Sequence, residues 1–289
     1  MPDYNINSSV CFIGGDERQY YAALHLSQET ELDIFVSGDT FQKAISHFTS
    51  TQITYVENPQ KALLLSKNVI LPLPAAKVEQ TLPSLDLIDT LKGKGGVIVG
   101  GKFSPYIKEL FSNANIKYID YYEDECFTLK NAYITAEGAI SIAMNSINIM
   151  LRDAKCAVLG FGRIGKALSQ MLSSLGSKPY IFARRAESNT LAKEMGFNIK
   201  SDMSFKDFDV IFNTVPERII SNGELLAIPD KTVLIELASA PGGFDQDIAI
   251  QSGLQAINCS GLPGKYAPES AGKAVSDAVI QILTKNNIL

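Results

Sequence analysis

The stretch KCAVLGFGRIG at residues 155–165 decides the fold of the second half of this chain. A short apolar run of strand length leads straight into Gly160-Phe161-Gly162-Arg163-Ile164-Gly165, and residues 166–175 continue in a helical pattern. Strand, G-x-G-x-x-G turn and helix in that order form a dinucleotide-binding fingerprint. Gly160 permits the tight turn, Gly162 lets the backbone approach a pyrophosphate, and Gly165 lets helix and strand pack closely. Backbone N–H groups at the helix start, Arg163 and Ile164 among them, then point at the phosphates. The bland alternative is a glycine-rich turn that holds nothing.

Working outward, strands are predicted at PYIFAR, DVIFNTV, TVLIELA and LQAINCS, with a closing helix over 268–283. The residue ending the second strand of such a fold selects between nicotinamide cofactors, because a carboxylate there binds the ribose hydroxyls and repels a 2′-phosphate. Here the strand ends Ala183-Arg184-Arg185, with no acid before Glu187. Two guanidiniums can clamp a phosphate, so the expected cofactor is NADP(H) rather than NAD(H). A solvent-exposed basic turn is the other reading. Asn213-Thr214-Val215-Pro216 and Glu236-Leu237-Ala238-Ser239 follow apolar runs, at strand ends where open α/β sheets bind ligands, and are expected to line the nicotinamide half. Pro216 can equally serve to end a strand.

The first 131 residues show the same alternation, with strands at SVCFIGG, LDIFVSG, NVILPLP, GGVIVGG and IKYID and helical spacing between them. A helix over 135–151, with Thr135 as cap and Glu137 in its first turn, is expected to bridge to the second half; an ordinary peripheral helix would look much the same. The expected architecture is therefore α/β: two Rossmann-like domains with mostly parallel sheets, a substrate-binding domain over 1–131 and a dinucleotide-binding domain over 132–289. A length of 289 residues suffices for two such cores.

Composition narrows the partners. A net charge of −5 gives no general attraction to nucleic acid or anionic membranes, so an anionic ligand must be held by local cations and amides. The amino terminus lacks an export signal, and no apolar run approaches the roughly 20 residues of a membrane helix. A cytoplasmic location follows as the expectation. Four scattered cysteines and two histidines offer no metal-ligand spacing, so neither metal nor disulfide is expected.

Two α/β domains with the dinucleotide fold second are similar to the arrangement of D-2-hydroxyacid dehydrogenases, which place a catalytic histidine late in the second domain. This chain has no histidine beyond His47; the corresponding stretch reads GLPGKYAP at 261–268. That reading therefore stands second. The segments GGDERQ at 14–19, TAEGA at 135–139, IELASAPGGFD at 235–245 and GLPGKYAPESAG at 261–272 together resemble the A subunits of dipicolinate synthase. The resemblance implies oxidation of a dihydrodipicolinate, drawn from the lysine pathway, to dipicolinate with NADP as acceptor. It further implies sporulation, a mother-cell location and a partner, the small flavoprotein-like B subunit. Assembly as a homo-oligomer, and a purely regulatory nucleotide-binding role, both stay open.

A dicarboxylate substrate needs cations or helix N-termini on two sides. Arg18, at the start of a predicted helix after Gly14-Gly15, is the candidate for one carboxylate, with Asp16 either binding or orienting it. Lys102, in Gly100-Gly101-Lys102, and Lys265 are candidates for the other, although an exposed lysine is usually only solvated. For the proton, Glu137, Tyr266 and Glu269 qualify by chemistry, and Glu137 is preferred.

Overall fold

A computed structural model describes residue 6, residues 8–47 and residues 50–289. The chain divides into two compact units, one of residues up to 130 together with 267–289, the other of residues 131–266.

The first unit runs β1 (Ser9–Ile13), α1 (Glu17–Glu29), β2 (Asp33–Ser37), α2 (Asp39–Ala44), β3 (Ile53–Tyr55), α3 (Pro59–Leu64), β4 (Val69–Ile70), α4 (Ser84–Leu91), β5 (Val97–Gly100), α5 (Pro105–Asn113) and β6 (Lys117–Asp120), then enters α6 (Glu125–Ser146). The second continues with β7 (Cys156–Leu159), α7 (Arg163–Ser174), β8 (Tyr180–Phe182), α8 (Ala186–Glu194), β9 (Asn198–Ile199), β10 (Val210–Asn213), α9 (Asn222–Leu225), β11 (Val233–Glu236), α10 (Gln246–Gln251), β12 (Gln255–Asn258) and α11 (Leu262–Tyr266). The last helix, α12 (Pro268–Lys285), returns to the first unit.

Each unit holds a six-stranded, all-parallel sheet, in the orders β3-β2-β1-β4-β5-β6 and β12-β11-β10-β7-β8-β9. The first follows the Rossmann permutation 3-2-1-4-5-6, and the second carries the same doubly wound pattern about its central β7, so the expected fold class holds for both halves. Strand order reverses beside β1 in one sheet and beside β7 in the other, and the crevices where such folds bind ligands open at the carboxyl ends there. Strands covered on both faces read as unbroken apolar runs. Accordingly, Val10 and Phe12 of β1 pack with Ala22, Leu26 and Val275, while Cys11 and Ile13 pack with Leu63, Leu87 and Phe111.

Two expected helices differ from the sequence reading. The helix placed at 135–151 spans Glu125–Ser146, begun by the Asp124 carboxylate, which accepts a hydrogen bond from Phe127 N at 2.8 Å. Thr135 lies in mid-helix, where its hydroxyl donates to Asn131 O at 2.7 Å, so Glu137 sits more than three turns along rather than in the first turn. The closing helix, expected to belong to the second domain, packs instead on α1. Gly272 allows this closeness: a Cβ there would come within 2.8 Å of Arg18 O and 2.9 Å of Ala22 N. The apolar face of α12 chooses its partner by fit, which position in the sequence does not record.

Candidate functional site

In the second unit the three fingerprint glycines play three different parts. Gly160 follows β7 at φ +94°, a conformation that favours glycine, and a Cβ there would meet Thr214 Oγ1 at 2.5 Å. A Cβ on Gly165 would lie 2.2 Å from Gly160 O, so its absence lets α7 seat against the turn. Gly162, the residue capping α7, has no atom of the described residues within 4 Å of its missing Cβ. That open, amide-lined surface at the start of a twelve-residue helix fits a pyrophosphate.

The loop after β10 forms the opposite wall. Thr214 is tied to the first strand by its backbone N and its Oγ1, which both donate to Leu159 O, at 2.9 and 2.8 Å. Asn213 is wholly buried: its Nδ2 donates to Val215 O and to Glu236 Oε1, and its Oδ1 accepts from Val215 N. With its amide spent inside the protein, Asn213 braces the loop instead of facing a ligand. Glu236, at the end of β11, accepts from Ala238 N on Oε1 and from Gly243 N on Oε2, at 2.9 and 2.8 Å. Burial raises its carboxyl above the ordinary range despite these bonds to Gly243, Asn213 and Ala238. Val215 is half-buried, Pro216 exposed and Ala238 buried.

At the end of β8, Ala183 O accepts from Asn189 Nδ2, and both arginines are exposed. Arg184 Nη2 pairs with Glu217 Oε2 at 2.6 Å across the neighbouring loop. Arg185 precedes α8 and makes no ion pair with any described residue.

The first unit carries a different cluster at its own switch point. Gly14 and Gly15, at φ +64° and +101°, turn the chain from β1 into α1. Asp16 caps α1 and accepts from Arg18 Nε at 2.9 Å, Arg18 Nη2 at 2.7 Å and Lys77 Nζ at 2.9 Å. Arg18 is 4% exposed, and its Nη2 also donates to Leu73 O at 2.7 Å. Nothing among the described residues accepts from its Nη1. Burial alone would raise the Asp16 carboxyl, but hydrogen bonds and charge from Arg18, then from Lys77, outweigh it and hold the group down at about 2. Two cations around one carboxylate leave the cluster with a net positive charge. Lys77 was not singled out in the sequence, being 61 positions from its partner.

Lys102 is exposed at φ +58°, its ammonium 5.9 Å from the Tyr122 ring centroid. Its backbone is pinned by Asp120, which accepts from Lys102 N, Phe103 N and Tyr122 N at 2.8, 3.0 and 2.9 Å. Glu137, Lys265 and Tyr266 lie in the second unit on two helices in contact. A Cβ on Gly138 of α6 would meet Leu262 of α11 at 2.9 Å and the Tyr266 ring at 3.0 Å, and Glu137, Lys265 and Tyr266 are exposed. The segments TAEGA and GLPGKYA thus form one structural piece.

Residues 9–122 match the family described as the N-terminal domain of the dipicolinate synthase A subunit, and residues 133–248 match the D-isomer specific 2-hydroxyacid dehydrogenase, NAD binding domain. The dipicolinate synthase A subunit of Bacillus subtilis (strain 168) is 27% identical over 293 residues, covering 96% of each chain. The crystal structure of the A subunit of dipicolinate synthase from Bacillus halodurans shares the fold with a TM-score of 0.82 at 24% identity, over 96% of this chain and 98% of that one. The transhydrogenase from Sinorhizobium meliloti superposes with a TM-score of 0.71 at 11% identity, over 96% and 94%. The dehydrogenase-type domain makes a nicotinamide dinucleotide the cofactor class, and no described helix is long and apolar enough to cross a membrane. Along nearly its whole length, this chain resembles the dipicolinate synthase A subunit, with a match to that family's N-terminal domain followed by a match to the NAD-binding domain of the D-2-hydroxyacid dehydrogenases.

Proposed function

We propose that this protein oxidises a dihydrodipicolinate to dipicolinate, pyridine-2,6-dicarboxylate, with NADP⁺ as acceptor. The observation that carries the reading is the Asp16–Arg18–Lys77 cluster. It occupies the switch point of a unit that matches the N-terminal domain of the dipicolinate synthase family, carries net positive charge and lacks the G-x-G-x-x-G turn, so it suits a small acid rather than a second nucleotide. The step balances as loss of one hydride and one proton from the dihydropyridine, giving an aromatic ring, NADPH and H⁺. When bound, the nicotinamide supplies the hydride acceptor. The chain holds and orients the acid through Arg18, with Asp16 fixing that guanidinium, and either Lys102 or Lys265 is the candidate for the second carboxylate. Proton removal is assigned to Glu137, whose neighbour Gly138 packs against Leu262 and Tyr266 of α11.

NADP⁺ is preferred because β8 ends in Ala183-Arg184-Arg185 without a carboxylate. Gly162 and the amides of Arg163 and Ile164 take the pyrophosphate, with Gly160 and Gly165 shaping the turn that presents them, and Thr214, Val215, Pro216 and Ala238 border the remainder. The resemblance also supports partnership with a flavoprotein-like B subunit, and a place in the mother cell of a sporulating bacterium. The match over 133–248 favours a 2-hydroxyacid dehydrogenase as the second reading, which lacks its histidine here.

The test is dipicolinate formation, followed by ultraviolet absorbance, from dihydrodipicolinate generated in place with NADP⁺, NAD⁺ or no protein. Protein-dependent product with stoichiometric NADPH supports the proposal. Activity appearing only with the B subunit would make this half of an obligate pair, and inactivity in both settings would refute the synthase reading.

A further inference from the structure

Two buried polar side chains in the neighbourhood of Arg18 have no hydrogen-bond partner among the described residues: both amide atoms of Gln19 and the hydroxyl of Tyr121, each residue 1% exposed. Buried polar groups are almost always paired, so orphans grouped in one place call for an explanation.

Their surroundings keep them where they are. Gln19, in the first turn of α1, folds back so that its Cγ lies 2.5 Å from where a Gly15 Cβ would stand, with Pro72 alongside. The Tyr121 ring lies over Gly101, whose missing Cβ would come within 2.5 Å of it, and stacks edge-on against Phe127 at 4.8 Å. Gly101 also borders Leu73, whose carbonyl accepts from Arg18. The glycines of GGD and GGK thus make room for the two orphaned side chains. Burial pushes the Tyr121 phenol well above its ordinary value, against the opposing pull of Arg18, so its O–H remains a donor at neutral pH.

Gln19 brings an uncharged amide N–H, Tyr121 an O–H, and Arg18 an Nη1 that no described residue uses. Those are the donors a carboxylate requires, and none adds a negative charge against it. We propose that Gln19 and Tyr121 are ligand-binding residues of the Arg18 site, donating from Nε2 and Oη to carboxylate oxygens of a pyridine dicarboxylate. The identity of that acid rests on the dipicolinate reading.

The test measures binding of pyridine-2,6-dicarboxylate by calorimetry to the full chain with NADP⁺ present, comparing wild type with Tyr121→Phe and Gln19→Leu. Pyridine-2-carboxylate is the one-carboxylate control, and ligand-free melting temperatures are recorded for all three proteins. Each lost hydrogen bond to a charged group should weaken dicarboxylate binding by about tenfold to a hundredfold. The melting temperature of Tyr121→Phe should stay level or rise, because the variant removes an unsatisfied hydroxyl. Unchanged binding in both variants would overturn the inference while leaving the dipicolinate reading intact. A lower melting temperature with unchanged binding would also overturn it, making these groups structural. A wild type that binds no pyridine dicarboxylate would overturn the dipicolinate reading and this inference with it.

Discussion

Alanine at position 162 would place its Cβ where no atom of the described residues lies within 4 Å, whereas alanine at 165 would place it 2.2 Å from Gly160 O. The two substitutions therefore separate ligand binding from folding. Gly162 has φ −80° and ψ −160°, open to any residue. Alanine there gains roughly 0.4–1 kcal/mol from a less flexible unfolded chain and gives back roughly as much as a poorer cap than glycine, a net change within about 1 kcal/mol of zero. At Gly165, α7 and the turn must part by about 1 Å, an overpacking cost of about 1–3 kcal/mol. For the ligand the order inverts. The Gly162 surface is the one a pyrophosphate must touch, and losing one charge-assisted amide contact costs about 1.5–3 kcal/mol, tenfold or more in affinity. Urea unfolding and NADPH fluorescence titration read the two effects independently. Wild-type NADPH affinity in Gly162→Ala, or unfolding as early as Gly165→Ala, would refute this division of roles.

Arg184→Ala combined with Arg185→Ala should weaken NADPH far more than NADH; equal losses would argue against a 2′-phosphate clamp. Glu217→Gln releases Arg184 from its 2.6 Å pair and should tighten NADPH a few-fold while shifting stability by less than about 1 kcal/mol, as expected of an exposed pair; weaker NADPH binding would refute it. Because the Asp16 carboxyl is held below its unfolded value, its contribution is present above about pH 4 and is lost as pH falls through about 2. Asp16→Asn should therefore cost at most about 2 kcal/mol at pH 7, less for its partial exposure, and the gap should close on acidification; a pH-independent difference in urea stability would count against the pairing. Glu236→Gln turns an amide N–H₂ toward converging donors from Asn213, Ala238 and Gly243 and should destabilise by about 1–3 kcal/mol; wild-type stability at pH 7 would contradict that network.

The long central strands were legible because strands buried on both faces must be continuously apolar, and VCFI, VIVG, CAVL, VIFN and VLIE carry that pattern. β3 and β9 were missed. They have three and two residues, lie at the outer edge of their sheets and need little apolar sequence to pair on one side. The start of the helix at 125–146 is masked in the sequence because Thr135 and Glu137, ten and twelve residues on, offer cap chemistry that a mid-helix position can also accommodate. The fingerprint glycines were readable because their spacing is local. The bracing between Asn213 and Glu236, 23 positions apart, was not, nor was Lys77 beside Asp16: contacts between loops of different strands leave no periodic trace. The Pro241-Gly242-Gly243 run was the available signal, since Gly243 lies against the Asn213 side chain and Gly242 against Glu236.

The return of α12 bears on the order in which the chain can fold as it is synthesised. Residues 131–266 form one uninterrupted segment, so the second unit can assemble as soon as that segment has emerged. The first unit begins earlier but finishes later, because Ala22, Ala23 and Leu26 of α1 receive Ala274, Val275, Ala278 and Val279 only after the whole second unit has been made. Until then, its α1 face is exposed apolar surface of the kind that draws chaperones or promotes aggregation. A fragment cut at residue 130 should inherit that exposure permanently, whereas one that rejoins residues 267–289 by a short linker should fold.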